Sequence, residues 1–430
     1  MTRQRQLTSV LVCALLGWTV PARADVVTDW NDLASQAAVR AAAAGRPGQV
    51  LFLDFAIVHA AIHDAVQAIE GRFDPYRVKI RRAEGSLSSA TAKAAHDVLA
   101  HLYPAQVDVL KAAYDGYLLA NGLSEDDPGV AVGARAAAGI IAFRANDGSF
   151  PPNPTPFTGS EKIGAWRPTP PGFLPMAVPW LGNVRPFTLK RPSQFVKNGP
   201  PPLGSRRYAR DFNEVKSLGR EEPLSDRTPA QTDLARFWSD NYAIQWNRAL
   251  RSVAATYVNT IGDSARLLAL ANLSAADAII TAWNAKNRFA NWRPITAIQE
   301  GDRDGNRRTA GDATWLPLIT TPNYPDHSSG ANNVSAAYTR ALALFFGTEE
   351  VTFSMTTLVP ATIEKTRTFT RFSDASDEVV VARIYEGIHF RFADEEGQRQ
   401  GRRIARWAFR HFLRPVGHRQ DDDDDEEDDE

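Results

Sequence analysis

The sequence predicts an all-α protein, and three observations lead to that fold class. Apolar residues recur three and four positions apart in long Ala-rich segments, as in residues 90–102 and 107–119. Few alternating runs of β-branched residues compete with this helical period. The chain has 430 residues and is 43% hydrophobic, so it can bury a large core.

The first 24 residues have the three parts of a secretory signal peptide. Arg3 and Arg5 precede an apolar run over residues 7–20, and residues 22–24 supply the small side chains that a signal peptidase needs. A buried N-terminal helix or a membrane anchor is the alternative interpretation. The run is shorter than the roughly 20 apolar residues of a membrane span, and a glycine and a proline interrupt it. The sequence therefore predicts a secreted or periplasmic protein without a stable membrane span.

Cysteine and charge narrow the kinds of site that the chain can hold. Cys13 is the only cysteine and lies in the signal peptide, which excludes disulfides and cysteine-ligated metals elsewhere. The formal net charge is -1, although residues 421–430 are all acidic. The rest of the chain is therefore net basic, which suits an anionic ligand. We expect residues 420–430 to form a disordered, solvated tail.

Helical and proline-rich segments alternate along the chain. Residues 149–202 are dense in proline and glycine, which rules out long helices and predicts a long surface loop. Because helices flank this loop and no flexible linker appears, we expect residues 25–419 to form a single mainly helical domain. The helical segments are predicted over residues 30–146, 232–290, 328–346 and 379–413, with a polar turn over 301–312.

Two clusters of anion-binding side chains lie in the C-terminal half. Lys286 and Arg293 are seven residues apart, two turns of a helix, so they would point the same way. Ser329 and Gly330 lie in a turn that enters a predicted helix, where a hydroxyl and free backbone N–H groups can bind an anion. Taken singly, the first is typical of a solvated helix face and the second of a helix N-cap.

A third cluster places Arg383 and His389 six residues apart, with a glycine between them. A single histidine is more often a core or surface residue than a nucleophile. The three clusters together reverse that interpretation, because a tetrahedral anion is held well only by several converging cations and preorganised donors. Neutral His389 could supply an axial lone pair.

These clusters resemble the motifs of the superfamily of type 2 phosphatidic acid phosphatases and vanadium-dependent haloperoxidases. The family pattern reads K-x6-R-P, then P-S-G-H, then S-R-x5-H, and residues 280–400 follow it in order with both internal spacings. Residues 387–392 are similar to the secreted bacterial, haloperoxidase-related branch. The resemblance implies a helical bundle of the vanadium haloperoxidase and acid phosphatase type, with its motif-bearing core in residues 280–400.

The resemblance also implies a cofactor, vanadate, whose pocket phosphate can also occupy. His389 would bond to the vanadium, the three cations would neutralise equatorial oxygens, and the turn would donate hydrogen bonds. The implied activity is halide oxidation with hydrogen peroxide by an exported vanadium-dependent haloperoxidase. We expect small-molecule partners only, either hydrogen peroxide and a halide or a phosphate ester, and no nucleic acid. The implied ligands are Lys286, Arg293, Ser329, Gly330, Arg383 and His389.

The sequence departs from the family pattern at several positions, including Ser328 in place of the proline of the second motif and Ala382 in place of the serine before Arg383. Ala331 stands where the family has an acid–base histidine, whose loss would cost a phosphatase its leaving-group acid, a factor of about 10²–10⁴. His327, two positions before Ser329, would replace it if an altered turn carried its ring into the pocket. Ala393 stands where an acid usually orients the last histidine, and Asp394 follows. An acid phosphatase with a histidine nucleophile and an oxyanion-binding protein without turnover stay open as alternatives.

Other histidines and tryptophans fit core positions by pattern. His59 and His63 are one helical turn apart, as zinc ligands can be, but their apolar neighbours predict buried, hydrogen-bonded side chains. Trp238, Trp246 and Trp283 could form a wall for halide or substrate, although tryptophan at helical spacing is more typical of core.

Overall fold

The computed structural model describes residues 25–417. The predicted signal peptide, its Cys13 and the acidic tail over residues 420–430 lie outside these described residues. Within them the chain forms thirteen α-helices and one antiparallel hairpin, which confirms the prediction of an all-α fold. The helices are α1 (Val26–Ala43), α2 (Leu51–Glu70), α3 (Leu87–Leu102), α4 (Val107–Ala120), α5 (Pro128–Arg144), α6 (Arg206–Leu218), α7 (Pro229–Phe237), α8 (Tyr242–Tyr257), α9 (Ile261–Phe289), α10 (Pro294–Gln299), α11 (Gly330–Phe346), α12 (Phe372–Tyr385) and α13 (Arg391–His411).

The hairpin consists of β1 (Phe353–Thr356) and β2 (Thr366–Phe369), with Phe353 opposite Phe369. The Phe353 and Phe369 rings contact each other, with their centroids 5.6 Å apart, and both side chains are buried against the helices. The two strands therefore form an appendage of the helical core and do not change the fold class.

Helix α9 lies at the centre of the bundle. It packs against α2 on one side and against α11 and α13 on the other. Helices α2 and α9 are long and apolar enough to span a membrane by length and composition, but 89% and 100% of their most apolar windows are buried within the protein. That burial is typical of core helices, since the apolar faces are covered by other helices.

Two of the predicted helical runs are interrupted in the structure. Residues 232–290 form parts of three helices, because Asn241 caps α8 and Thr260 caps α9 by accepting hydrogen bonds from first-turn amides. Residues 379–413 divide at Gly387, whose φ of +80° ends helical geometry between α12 and α13. Each break lies next to a residue of the cavity described below: Tyr242 follows the first break, and His389 follows the second.

The proline-rich segment, residues 149–202, contains only a short 3-10 helix, Pro179–Asn183. It does not lie wholly on the surface, as the sequence had suggested, because Trp166 is fully buried. The amide of Trp166 donates to the carbonyl of Ala290, and that of Trp292 donates to the carbonyl of Gly164 at 3.0 Å. The loop therefore fixes the short connection between α9 and α10. The prediction that residues 25–419 form a single domain stays a prediction.

Candidate oxyanion-binding site

A cavity of about 150 Å³ opens where α8, α9, α11 and the turn between α12 and α13 meet. The loop between α1 and α2 closes one side of it. Of the six predicted anion ligands, Gly330, Arg383 and His389 line this cavity, whereas Lys286, Arg293 and Ser329 are not among its lining residues. The lining residues are Gly48, Gln49, Phe52, Asn241, Tyr242, Ile279, Trp283, Tyr324, Gly330, Ala331, Val334, Arg383 and His389.

Lys286 and Arg293 do not share a helix, so the argument from two helical turns was wrong. Helix α9 ends at Phe289, and Ala290 adopts a left-handed conformation with φ of +43°. Arg293 is the N-cap residue of the next helix, α10. A tight turn, rather than helical periodicity, therefore sets the direction of the arginine.

The same two cations nevertheless meet at one segment of backbone. The Lys286 Nζ donates to the carbonyl oxygens of Pro325 (2.6 Å) and Asp326 (2.9 Å). The Arg293 Nε donates to the carbonyl oxygen of Tyr324 at 2.7 Å. Both side chains are fully buried. Burial and the charge of Arg293 lower the pKa of Lys286 well below its usual range, so a bound anion would favour its charged form.

His389 lies in the turn before α13 and is held on both ring nitrogens. Its Nδ1 is 2.7 Å from Oδ1 of Asp326, and its Nε2 is 3.2 Å from Nη1 of Arg293. Because an ionised carboxylate and a guanidinium can act only as acceptor and donor respectively, Nδ1 carries the hydrogen and Nε2 carries the lone pair. Burial, followed by the charges of Arg293 and Lys286, lowers the pKa of His389 well below its usual range. The imidazole is therefore neutral, with a lone pair on Nε2.

Two of the predicted anion ligands have a buried guanidinium nitrogen that makes no hydrogen bond within the described residues: Nη2 of Arg293 and Nε of Arg383. Arg383 forms an ion pair with Glu386, with Nη1 2.6 Å from Oε2. Buried donors are nearly always satisfied, so unpartnered ones beside a cavity indicate a ligand that accepts hydrogen bonds. An oxyanion fits this requirement.

The first two backbone amides at the start of α11 differ in whether they already donate to an acceptor within the protein. Ser329 is the N-cap residue of α11, and its amide donates to the carbonyl of Ala393 at 3.0 Å, so that amide is already used. The amide of Gly330, in the first turn, has no acceptor within the helix. A Cβ added at Gly330 would lie 3.2 Å from the ring of Trp283, which explains why the smallest residue stands there.

The structure does not bring His327 into the cavity. Its Nε2 is 3.0 Å from the carbonyl oxygen of Asn198, and its ring packs between those of Phe289 and Phe392, at 5.4 and 6.1 Å. Burial lowers the pKa of His327 to about 4. Ala331, by contrast, lines the cavity wall. The expectation that His327 would replace the missing acid–base histidine therefore has no support in this geometry.

Comparisons with known proteins report similarity to vanadium haloperoxidases. Residues 266–418 match the family model of the VCPO second helical-bundle domain. An alignment 121 positions long, 32% identical, covers 24% of this chain and 19% of vanadium chloroperoxidase of Curvularia inaequalis. The C-terminal part of the chain is therefore similar to this helical-bundle domain.

Solved haloperoxidase structures share the fold over most of the chain. A bacterial vanadium-dependent iodoperoxidase superposes with a TM-score of 0.77 at 23% identity, covering 91% of this chain and 97% of its own. The holo-type structure of a bacterial vanadium-dependent chloroperoxidase has a TM-score of 0.67 at 19% identity, covering 84% and 91%. These similarities establish the haloperoxidase-type helical bundle for this chain.

Two residues of this site were missed by sequence reasoning. Asp326 orients His389, whereas Asp394, the acid nearest to the family position, accepts instead from Nδ2 of Asn332 at 2.8 Å. Asp326 lies within the second motif, but nothing in its spacing indicated a contact 63 residues away. Tyr242 reaches the cavity from α8, outside all three motifs.

The remaining candidates have structural roles in the described residues. Trp283 lines the cavity, but Trp238 and Trp246 are buried core residues that bond Glu378 and Ser335. The Nε2 atoms of His59 and His63 contact Nδ2 of Asn31 (2.7 Å) and the carbonyl oxygen of Asp74 (3.1 Å). Across residues 25–417 there is no group of three or more His, Cys, Asp or Glu side chains that could hold a metal ion.

Proposed function

We propose that this chain is an exported vanadium-dependent haloperoxidase-like enzyme that oxidises a halide with hydrogen peroxide. The observation that carries the proposal is the state of His389. Asp326 holds its Nδ1, and burial together with the surrounding cations lowers the pKa of His389 so that the ring stays neutral, with a lone pair on Nε2. The solved relatives named above are haloperoxidases, which supports the same chemistry here.

Vanadate fits the residues that surround the cavity. Arg293 and Arg383 offer unpartnered buried donors, and Lys286 adds a third buried cation. The Gly330 amide would donate to the anion, and His389 would bond to the vanadium. The Ser329 hydroxyl contacts Asn332 and Asp394 and would have to turn to donate as well. When bound, vanadate supplies a Lewis acid that activates peroxide.

The protein's own contribution follows from burial and charge. Buried cations act on a bound anion through a lower dielectric than water, which strengthens each contact. Asp326 keeps the hydrogen on Nδ1, so the lone pair of His389 stays directed away from that carboxylate. Glu386 holds the Arg383 guanidinium in place without using its Nε.

The side chains in and near the cavity argue against the phosphatase alternative. Ala331 offers no proton donor, and His327 bonds to the loop carbonyl of Asn198. Among the described residues, His389 is the histidine that lines this cavity. A phosphatase would need that residue as nucleophile and a different group as leaving-group acid.

A paired assay tests the proposal on the purified mature chain. Peroxide-dependent bromination, chlorination and iodination are measured with and without orthovanadate, beside hydrolysis of p-nitrophenyl phosphate. We expect vanadate-dependent halide oxidation in the wild type and its loss in His389→Ala. His96→Gln, which alters a histidine on α3 away from the cavity, is the matched control and should keep full activity.

Other outcomes lead to different conclusions. Phosphate release that depends on His389, without halide oxidation, would replace the proposal with the phosphatase. Orthovanadate binding without either reaction would leave an oxyanion-binding protein. Export is tested separately, by N-terminal sequencing of the protein recovered outside the cytoplasm, where we expect the chain to begin at Asp25.

A further inference from the structure

Tyr242 lines the oxyanion cavity from outside the motif-bearing region. It is the first residue of α8, directly after the N-cap Asn241. Its side chain shares the cavity wall with Ala331, Arg383 and His389. Residues 266–418 carry the family match, so Tyr242 belongs to the part of the chain that no motif covers.

The phenolic hydrogen of Tyr242 has no acceptor among the described residues. Its oxygen is buried and donates no hydrogen bond, although it lies within reach of an Arg383 N–H. The guanidinium carbon of Arg383 lies 5.6 Å from the centre of the Tyr242 ring. A guanidinium has only N–H donors, so it cannot accept the phenolic hydrogen. Two buried donors, this O–H and the Arg383 Nε, thus lack an acceptor on the same wall.

Other buried tyrosines show how the protein usually satisfies a phenol. Tyr338 donates to Oδ1 of Asn272 at 3.0 Å, and Tyr103 donates to Oδ2 of Asp54 at 3.0 Å. Leaving such a group unpaired is unfavourable, and native structures avoid it unless a ligand or water completes the bond. At Tyr242 the cavity supplies room for that ligand.

The phenol is also held in place and keeps its hydrogen. Its ring stacks on that of Trp238, with centroids 6.0 Å apart and an interplanar angle of 25°. Burial raises the pKa of Tyr242 above its usual range, and the charge of Arg383 only partly opposes this. Tyr242 is therefore held in place and keeps its hydrogen at neutral pH, where it can act as a donor.

We propose that Tyr242 donates its phenolic hydrogen to an oxygen of the tetrahedral oxyanion bound beside His389. The anion is the acceptor that both the Tyr242 O–H and the Arg383 Nε lack. The inference rests on the anion-binding part of the proposed function and does not depend on halide oxidation.

Anion affinity provides the test, with Tyr242→Phe as the variant. Phenylalanine keeps the ring that contacts Trp238 and Arg383 and removes only the hydroxyl. Inorganic phosphate and orthovanadate are titrated into the full chain by calorimetry at pH 8. We expect Tyr242→Phe to bind each anion about 10- to 100-fold more weakly, the usual range for a hydrogen bond to a charged group.

The control is Tyr208→Phe, because Tyr208 is also buried but its hydroxyl lies near Trp292 and Asp304 and does not line the cavity. It should bind both anions as the wild type does, and both variants should keep the wild-type melting temperature. Wild-type affinity in Tyr242→Phe would overturn the inference, even if halide oxidation is intact. Weaker binding in that variant would support it, even if the wild type oxidises no halide. A wild type that binds neither anion would overturn both proposals.

Discussion

Replacing Asp326 with asparagine isolates the contact that prepares His389. The Asp326 carboxylate and the His389 ring are both almost completely buried, and their bond of 2.7 Å is charge-assisted. An asparagine is nearly isosteric, but its amide can either accept from Nδ1 or donate to it. If it donates, the hydrogen moves to Nε2 and the lone pair beside the cavity is lost.

The magnitude follows from the strength of this bond. A hydrogen bond to a charged group contributes about 1.5–3 kcal/mol. Since about 1.4 kcal/mol corresponds to a factor of ten, we expect Asp326→Asn to weaken orthovanadate binding by about 10- to 100-fold. Halide oxidation measured at low orthovanadate should fall by a similar factor and recover partly at high orthovanadate.

The assay is a calorimetric titration at pH 8, above the value of about 7 to which burial raises the pKa of Asp326. Asp64→Asn serves as control, because this carboxylate is equally buried but accepts from the amides of Tyr76, Arg77 and Val78. It should lower the melting temperature without changing the affinity of the folded protein. Unchanged orthovanadate binding in Asp326→Asn would refute the reasoning about His389.

Two further predictions concern the missing acid and the pH dependence of stability. Ala331→His places an imidazole on the cavity wall and should raise p-nitrophenyl phosphate hydrolysis by about 10²-fold, the lower end of general acid catalysis; an unchanged rate would contradict the role assigned to this position. Burial, and then Arg251, lowers the pKa of His59 from 6.5 to about 3. The unfolded chain therefore takes up a proton that the folded protein does not, and stability should fall as pH decreases below 6.5. In His59→Gln the slope of unfolding free energy against pH, from denaturant titrations between pH 6.5 and 4, should flatten by up to about 1.4 kcal/mol per pH unit; equal slopes would contradict this.

Helices were predictable because their signal is local. The apolar period within residues 90–102 and 107–119 needs no information about distant parts of the chain, and α3 and α4 occupy those positions. The ends of helices were harder, because a break such as Gly387 is a single residue within a long periodic run. The proline-rich segment was correctly predicted to lack long helices, but burial of Trp166 depends on a contact with a turn more than a hundred residues away.

The prediction of the site was wrong about one geometry. Lys286 and Arg293 are both buried at the same backbone segment, although they lie on opposite sides of a turn rather than on one helix. His327 shows the opposite case, since its place in the sequence beside Ser329 suggested the cavity and its ring contacts Asn198 instead. Outside helices and strands, the separation of two residues in the sequence does not predict which way their side chains point.

The sequence by itself determined that the chain is helical and that three clusters of cations, small residues and a histidine occur in the order of one superfamily. Motifs record such information because the chemistry requires particular side chains at particular spacings. Only the tertiary structure decided that Asp326 holds Nδ1 of His389 and that Tyr242 reaches the cavity from α8. Those contacts join segments far apart in the chain, and packing of α8, α9, α11 and α13 brings them together. No local pattern carries a signal for such contacts, because burial and packing depend on the whole fold.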